Sequence, residues 1–169
     1  MSEDKPLVEK FRPTSWEDLQ GNTTALKHIR SWAEGWNADQ PQLLSGPPGV
    51  GKTSTAQVIA SEMGWPITEI NASDARRTDE IADIASKMKL TPIDAEHQLI
   101  VLDEVDSMPG RTNLEPLYDV LDDPPNPIVM ICNEPWDVRG GIKKRAKEHE
   151  FKLDRSSRQA KLRKIAKAE

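Results

Sequence analysis

The stretch Gly46-Pro47-Pro48-Gly49-Val50-Gly51-Lys52-Thr53 limits the possible folds of this chain more than any other feature. It has the form GxxxxGK[ST], a loop whose backbone amides turn inward to wrap a polyphosphate. Glycine supplies the backbone angles and close approach that such a nest of N–H donors requires, and the following helix adds the positive end of its dipole. The loop therefore demands a strand before it and a helix after it. Gln42-Leu43-Leu44-Ser45 provides a short apolar strand, and Ser54-Thr55-Ala56-Gln57-Val58-Ile59-Ala60 a helix-like run. This order predicts binding of ATP or GTP, with Gly46, Pro47, Pro48, Gly49, Val50, Gly51, Lys52, Thr53 and Ser54 around the phosphates. Lys52 is expected to reach the β- and γ-phosphates. Thr53 is expected to hold Mg²⁺ through its hydroxyl, because that ion keeps several waters and takes few protein oxygens.

Further along, Gln98-Leu99-Ile100-Val101-Leu102-Asp103-Glu104 is an apolar run ending in two carboxylates, the pattern of a strand buried on both faces. At such a strand end Asp103 can bind Mg²⁺ through water, while Glu104 can polarise an attacking water toward the γ-phosphate. Solvated carboxylates are the plain alternative. The complete phosphate loop upstream favours the site.

Composition bounds the rest. A chain of 169 residues suits one domain with a real core. The net charge of −5 is unevenly spread: the last 31 residues carry 12 Lys/Arg against 4 Asp/Glu, the first 138 carry 11 against 24. Such asymmetry fits a nucleic-acid or acidic-partner surface, and equally an amphipathic helix with a solvated basic face. The single cysteine, Cys132, excludes an internal disulfide and a cysteine-rich zinc site, and suits a reducing compartment. Without an apolar run long enough to span a membrane or a signal-peptide core, the expectation is a soluble cytoplasmic protein.

Periodicity gives the remaining elements. Met1 to Asp4 is expected to fray and Pro6 to Pro13 to be extended; Ser15-Trp16-Glu17-Asp18 reads as a capped helix start, followed by a helix from about Thr23 to Gly35. Pro66 to Ile70 reads as a second strand. Thr78 to Met88 reads as a helix with Ile81, Ile84, Ala85 and Met88 on one face. Leu114 to Leu121 forms a short helix, Asp122 to Pro127 a turn, and Ile128 to Cys132 another buried strand ended by Asn133. A basic helical turn after Gly140-Gly141, a last strand over Glu148 to Lys152 and a final helix capped by Asp154 complete the chain. Strands and helices that alternate, with strands buried on both sides, predict an α/β fold: a parallel sheet covered on both faces, with ligands at the strands' carboxyl ends.

Taken together, Val8-Glu9-Lys10-Phe11-Arg12-Pro13, Leu44 to Thr55, Glu69-Ile70-Asn71-Ala72-Ser73-Asp74, Asp103-Glu104-Val105-Asp106 and Ile131-Cys132-Asn133 resemble replication factor C, the AAA+ sliding-clamp loader family. The spaced set is far more specific than any one motif. The acidic balance and Gly64-Trp65-Pro66 are more similar to the archaeal large-subunit branch. The resemblance implies a three-layer P-loop NTPase with a five-stranded parallel sheet, binding ATP and Mg²⁺. Its partners would be clamp-loader small subunits, the sliding clamp and primer-template DNA. Val8, Arg12 and Pro13 would lie over the adenine side; Asn133 would stand at the sensor-1 position, near the γ-phosphate or the lytic water. Lys52, Glu104 and Asn133 would thus carry catalysis, and Thr53 and Asp103 the metal. Asn71 to Asp74 would brace the loop beside the site, and Arg76 and Arg77 are candidates for template-DNA phosphates.

Departures from the family pattern matter too. Lys144-Arg145-Ala146 stands where small subunits carry Ser-Arg-Cys, so Arg145 reads either as an arginine acting on a neighbour's site or as an ordinary basic side chain. Leu90 and Ile93 are better candidates for touching a clamp than Ile84 and Met88, whose helical spacing reads as core. The family continues beyond the position of Glu169 into a helical lid and a collar. The resemblance therefore implies a truncated member, with an ATPase core over residues 1–153 and the first lid helix over 154–169, and slow hydrolysis by this chain alone. Another AAA+ DNA remodeller and a non-enzymatic docking fragment are the competing readings.

Overall fold

The computed structural model describes residues 12–153 and 155–167. Five strands form one sheet: β1 Gln42–Ser45, β2 Ile67–Asn71, β3 Leu99–Asp103, β4 Ile128–Cys132 and β5 Lys147–Glu150. Their order is β2-β3-β4-β1-β5, and every pairing is parallel. The helices are α1 Thr23–Glu34, α2 Lys52–Met63, α3 Thr78–Met88, α4 Glu115–Asp122, α5 Gly140–Lys144 and α6 Arg155–Lys167.

Alternation along the central strands builds two cores. Leu43, Ile100, Leu102, Ile128 and Met130 face α3, α4 and α5, packing with Ile81, Met88, Leu117, Leu121 and Ile142. Leu44, Leu99, Val101, Val129 and Ile131 face the other way, onto Ile29 and Ala33 of α1 and Ala56, Val58 and Ile59 of α2. Because both faces are covered, the central strands read as continuous apolar runs, and the expected three-layer α/β arrangement is what forms.

Three expectations need amendment. Strand β2 is not doubly buried: it pairs only with β3, and its residues alternate between exposed and half-buried as an edge strand's do. The segment after Ser15 makes a single 3₁₀ turn, Trp16–Asp18. The Asp18 carboxylate accepts from the backbone N–H of Thr14 and Ser15 at 3.0 and 3.1 Å, so the local capping chemistry is present without the further turns of a helix. The last strand is Lys147–Glu150, beginning one residue and ending two residues earlier than expected. The frayed start, the extended segment up to residue 11 and the cap at Asp154 lie outside the described residues.

Candidate functional site

The strand order sets three carboxyl ends side by side, those of β3, β4 and β1. Ser45, the last residue of β1, is in register with Cys132, the last of β4, and the backbone N–H of Gly46 donates to the Cys132 carbonyl at 3.3 Å. The phosphate loop thus leaves the sheet beside Asn133, with the single strand β4 between it and the strand that ends in Asp103. Gly46 makes the turn possible. At φ +145° it adopts a conformation that L side chains avoid, and a Cβ there would lie 2.3 Å from the Phe151 carbonyl oxygen. Gly49 and Gly51 also have positive φ, +81° and +100°, and Gly51 opens α2 by accepting from Thr55 N and Oγ1 at 2.9 and 2.7 Å.

Lys52 is turned into the loop it begins from. Only 5% exposed, its ammonium donates to the carbonyls of Gly46 and Pro47 and to Asn133 Oδ1, the last two at 2.8 and 3.1 Å. Every one of those acceptors is neutral, so among the described residues the buried positive charge has no ion-pair partner. Burial pulls this amine below its ordinary range, while Asp103 and Asp106 oppose the shift. A buried cation met only by neutral oxygens, inside a ring of left-handed glycines, suits an anion with several oxygens. Because Asn133 Oδ1 accepts from Lys52, its Nδ2 remains as a donor. Thr53, the first residue past Lys52, is exposed at the loop, and Asp103 is half-buried at the tip of β3.

The acidic pair ends in a bend. Glu104 is non-glycine at φ +55°, and its N–H donates to Asp103 Oδ1 at 2.8 Å. A left-handed glutamate costs backbone energy and redirects the chain at once into the 3₁₀ turn Val105–Ser107. Two contacts hold this bend, the first in keeping with the bracing expected of Asn71 to Asp74 and the second without a counterpart in the sequence reading. Ser73 Oγ lies 2.8 Å from Glu104 Oε2 and 2.7 Å from Asn71 Oδ1, so a side chain after β2 holds the glutamate. Asp106 Oδ2 accepts from the backbone N–H of both Asn133 and Glu134, at 3.1 and 3.0 Å.

Val8 lies outside the described residues; Arg12 is exposed and Pro13 half-buried at the start of the described chain. Arg145 bonds Asp122 at 2.8 Å and lies over the Tyr118 ring at 4.2 Å, an intramolecular seat. Arg77 is likewise paired, with Asp79 and Glu80 of α3. Ile84 and Met88 are core, whereas Leu90 and Ile93 are 62% and 99% exposed. Cys132 is buried and its thiol is pushed up to about 12, chiefly by burial, which keeps it protonated and inert.

Sheet, loop and paired strand tips define the class: a P-loop nucleotide-binding domain. Residues 42–153 match the family model described as ATPase family associated with various cellular activities (AAA), and the chain belongs to that family. It is similar to curated replication factor C large subunits. That of Methanocorpusculum labreanum is 38% identical over 143 residues, 81% of this chain and 30% of the relative; that of Halobacterium salinarum is 34% identical over 153 residues, 86% and 32%. The chain spans about a third of the length of these relatives. Among solved structures, the Thermotoga maritima RuvB Holliday junction branch migration motor superposes with a TM-score of 0.72 at 21% identity, covering 93% of this chain and 53% of that one. At that identity the likeness shows the fold alone. No helix among the described residues is long and apolar enough to cross a membrane.

Proposed function

We propose that this chain is the ATP-binding and hydrolysing module of a replication factor C large subunit, which loads a sliding clamp onto primer-template DNA. The observation that carries the reading is the Lys52 ammonium, buried inside the loop and bonded among the described residues to neutral acceptors only, beside Asn133 and with β4 alone between its strand and that of Asp103. The residues fit ATP with Mg²⁺: Gly46 to Ser54 would hold the phosphates, Thr53 and Asp103 the metal, and Val8, Arg12 and Pro13 the adenine side. Bound there, Mg²⁺–ATP supplies a phosphoryl group whose transfer to water needs mainly positioning and charge stabilisation. Lys52 would offset charge on the phosphate oxygens, Glu104 would orient and polarise the attacking water, and Asn133 would hold that water or the γ-phosphate through Nδ2.

Similarity to large subunits extends the reading to partners: the loader's small subunits, the clamp and DNA. Leu90 and Ile93 are exposed apolar side chains suited to a clamp pocket, and Arg76, unlike Arg77, is not engaged by an ion pair among the described residues. The ion pair of Arg145 with Asp122 supports reading it as an ordinary basic side chain rather than as one acting on a neighbour's site. Residues 1–153 would be the ATPase core and 154–169 the first lid helix, working in the cytoplasm at the nucleoid. Mixing the chain with loader small subunits, clamp and primer-template DNA tests this. ATP turnover should rise above that of the chain alone and depend on both clamp and primed template. Stimulation by a four-way DNA junction alone, with no response to clamp, would contradict the proposal.

A further inference from the structure

We infer that Asp106 is a positioning residue that locks Asn133 in place relative to Glu104; this rests on the ATPase reading above. Asn133 and Glu134 follow β4, where the sheet no longer supplies acceptors for their backbone N–H groups. Both N–H groups donate to one oxygen, Asp106 Oδ2, at 3.1 and 3.0 Å. A carboxylate that accepts two backbone donors makes stronger hydrogen bonds than a neutral acceptor does. The contact joins elements 27 residues apart, and nothing local to either one requires it.

The placement of Asp106 is what gives the contact its consequence. Asp106 lies in the turn Val105–Ser107, which starts directly from the left-handed Glu104 and is closed by Ser107 N donating to Glu104 O at 3.0 Å. One short, hydrogen-bonded bend therefore carries both the glutamate proposed to polarise water and the carboxylate that grips the Asn133 backbone. The Asn133 side chain is fixed from its other end by Lys52 Nζ at 3.1 Å. The separation between Glu104 and Asn133 is thus set by Asp106 rather than by the flexibility of two loop ends. A misplacement of about 1 Å between such groups is enough to cost on the order of 100-fold in rate. The hydrogen bonds Asp106 accepts among the described residues come from backbone N–H groups, so its part is to position.

Amide hydrogen exchange, followed residue by residue by NMR, and single-turnover ATP hydrolysis test this on wild type, Asp106→Ala, Asn133→Ala and the double variant. In Asp106→Ala the amides of Asn133 and Glu134 should exchange at least ~10-fold faster, with the middle of β4 unchanged. Single-turnover hydrolysis should fall by about 10- to 100-fold while ATP affinity stays within about 3-fold. Adding Asp106→Ala to Asn133→Ala should cost no more than about 2-fold further, because Asp106 acts through Asn133. If the alanine variant does not fold, Asp106→Asn serves, and the same two amides should again exchange faster, to a smaller extent. Unchanged exchange at Asn133 and Glu134, or rate losses that multiply, would overturn the inference. Failure of the ATPase reading is distinguishable: wild type and Lys52→Ala would then bind ATP alike, while the exchange measurement still judges the Asp106 contact.

Discussion

Gly46 satisfies two demands that only glycine meets: φ of +145° and a carbonyl oxygen, that of Phe151, standing where a Cβ would go. The oxygen belongs to backbone, held because Phe151 N donates to Ser45 O at 2.7 Å, so it cannot swing aside. Gly46→Ala should therefore lower stability by roughly 3 kcal/mol by urea denaturation, quite apart from nucleotide. A change of a few tenths would show that the loop relaxes freely. At this scale Lys52, Asp103 and Glu104 could be singled out from a contiguous motif and a strand tip, and Asn133 only through the family resemblance. The resemblance gave Asn71 to Asp74 a bracing role without naming Glu104 as what Ser73 holds, 31 residues away, and nothing in the sequence disclosed Asp106 on the Asn133 backbone, 27 residues away. Such contacts depend on which strands lie next to each other, and strand order is not written in local spacing.

Periodic elements were legible for a physical reason. Thr78–Met88 and Ile128–Cys132 form as expected, since a helix burying one stripe and a strand burying both faces leave distinct apolar patterns. Strand β2 was found but its burial was not, because an edge position is a property of the sheet rather than of the segment. The loop before β4 hides a further element-scale device. Asn126, 1% exposed inside what reads as a plain turn, donates to the carbonyls of Met88 and Leu90 at 3.0 Å each and accepts from Gln98 N at 3.3 Å. It ties the end of α3 to the starts of β3 and β4. Asn126→Ala removes these bonds and leaves the Met88 carbonyl and the Gln98 N–H without this partner, while the Leu90 carbonyl keeps Gln98 Nε2 at 2.6 Å, so a loss of about 2–4 kcal/mol in chemical denaturation is expected. The Leu90–Ile93 segment should become more susceptible to proteolysis. An unaltered denaturation midpoint would show that Asn126 fills space only.

Across the whole molecule, pH should act through the β1–β5 pairing. His149 is buried with Nε2 2.6 Å from Gln42 Oε1, and burial, with Lys147 and His28 adding, lowers its pKa from 6.5 to about 4. With the folded value below the unfolded one, the unfolded chain takes up this proton first as pH falls. The stability contributed by neutral His149 is complete above about pH 6.5 and is lost progressively down to about pH 4. The loss amounts to about 3 kcal/mol at most, and His149→Gln should flatten the stability–pH curve over that window. An equally steep curve in the variant would place the pH response elsewhere. The global architecture followed from the phosphate loop and the apolar strands, but the positions of Arg145 and Arg77 did not, because an exposed cation's partner is chosen by tertiary neighbours. The central claim, that Lys52 and its loop hold a magnesium-charged triphosphate, is tested most directly by calorimetric titration of wild type and Lys52→Ala with ATP and Mg²⁺. Saturable binding of about one nucleotide per chain, weakened at least ~10-fold by Lys52→Ala, is the result predicted. Identical isotherms for the two proteins would contradict it.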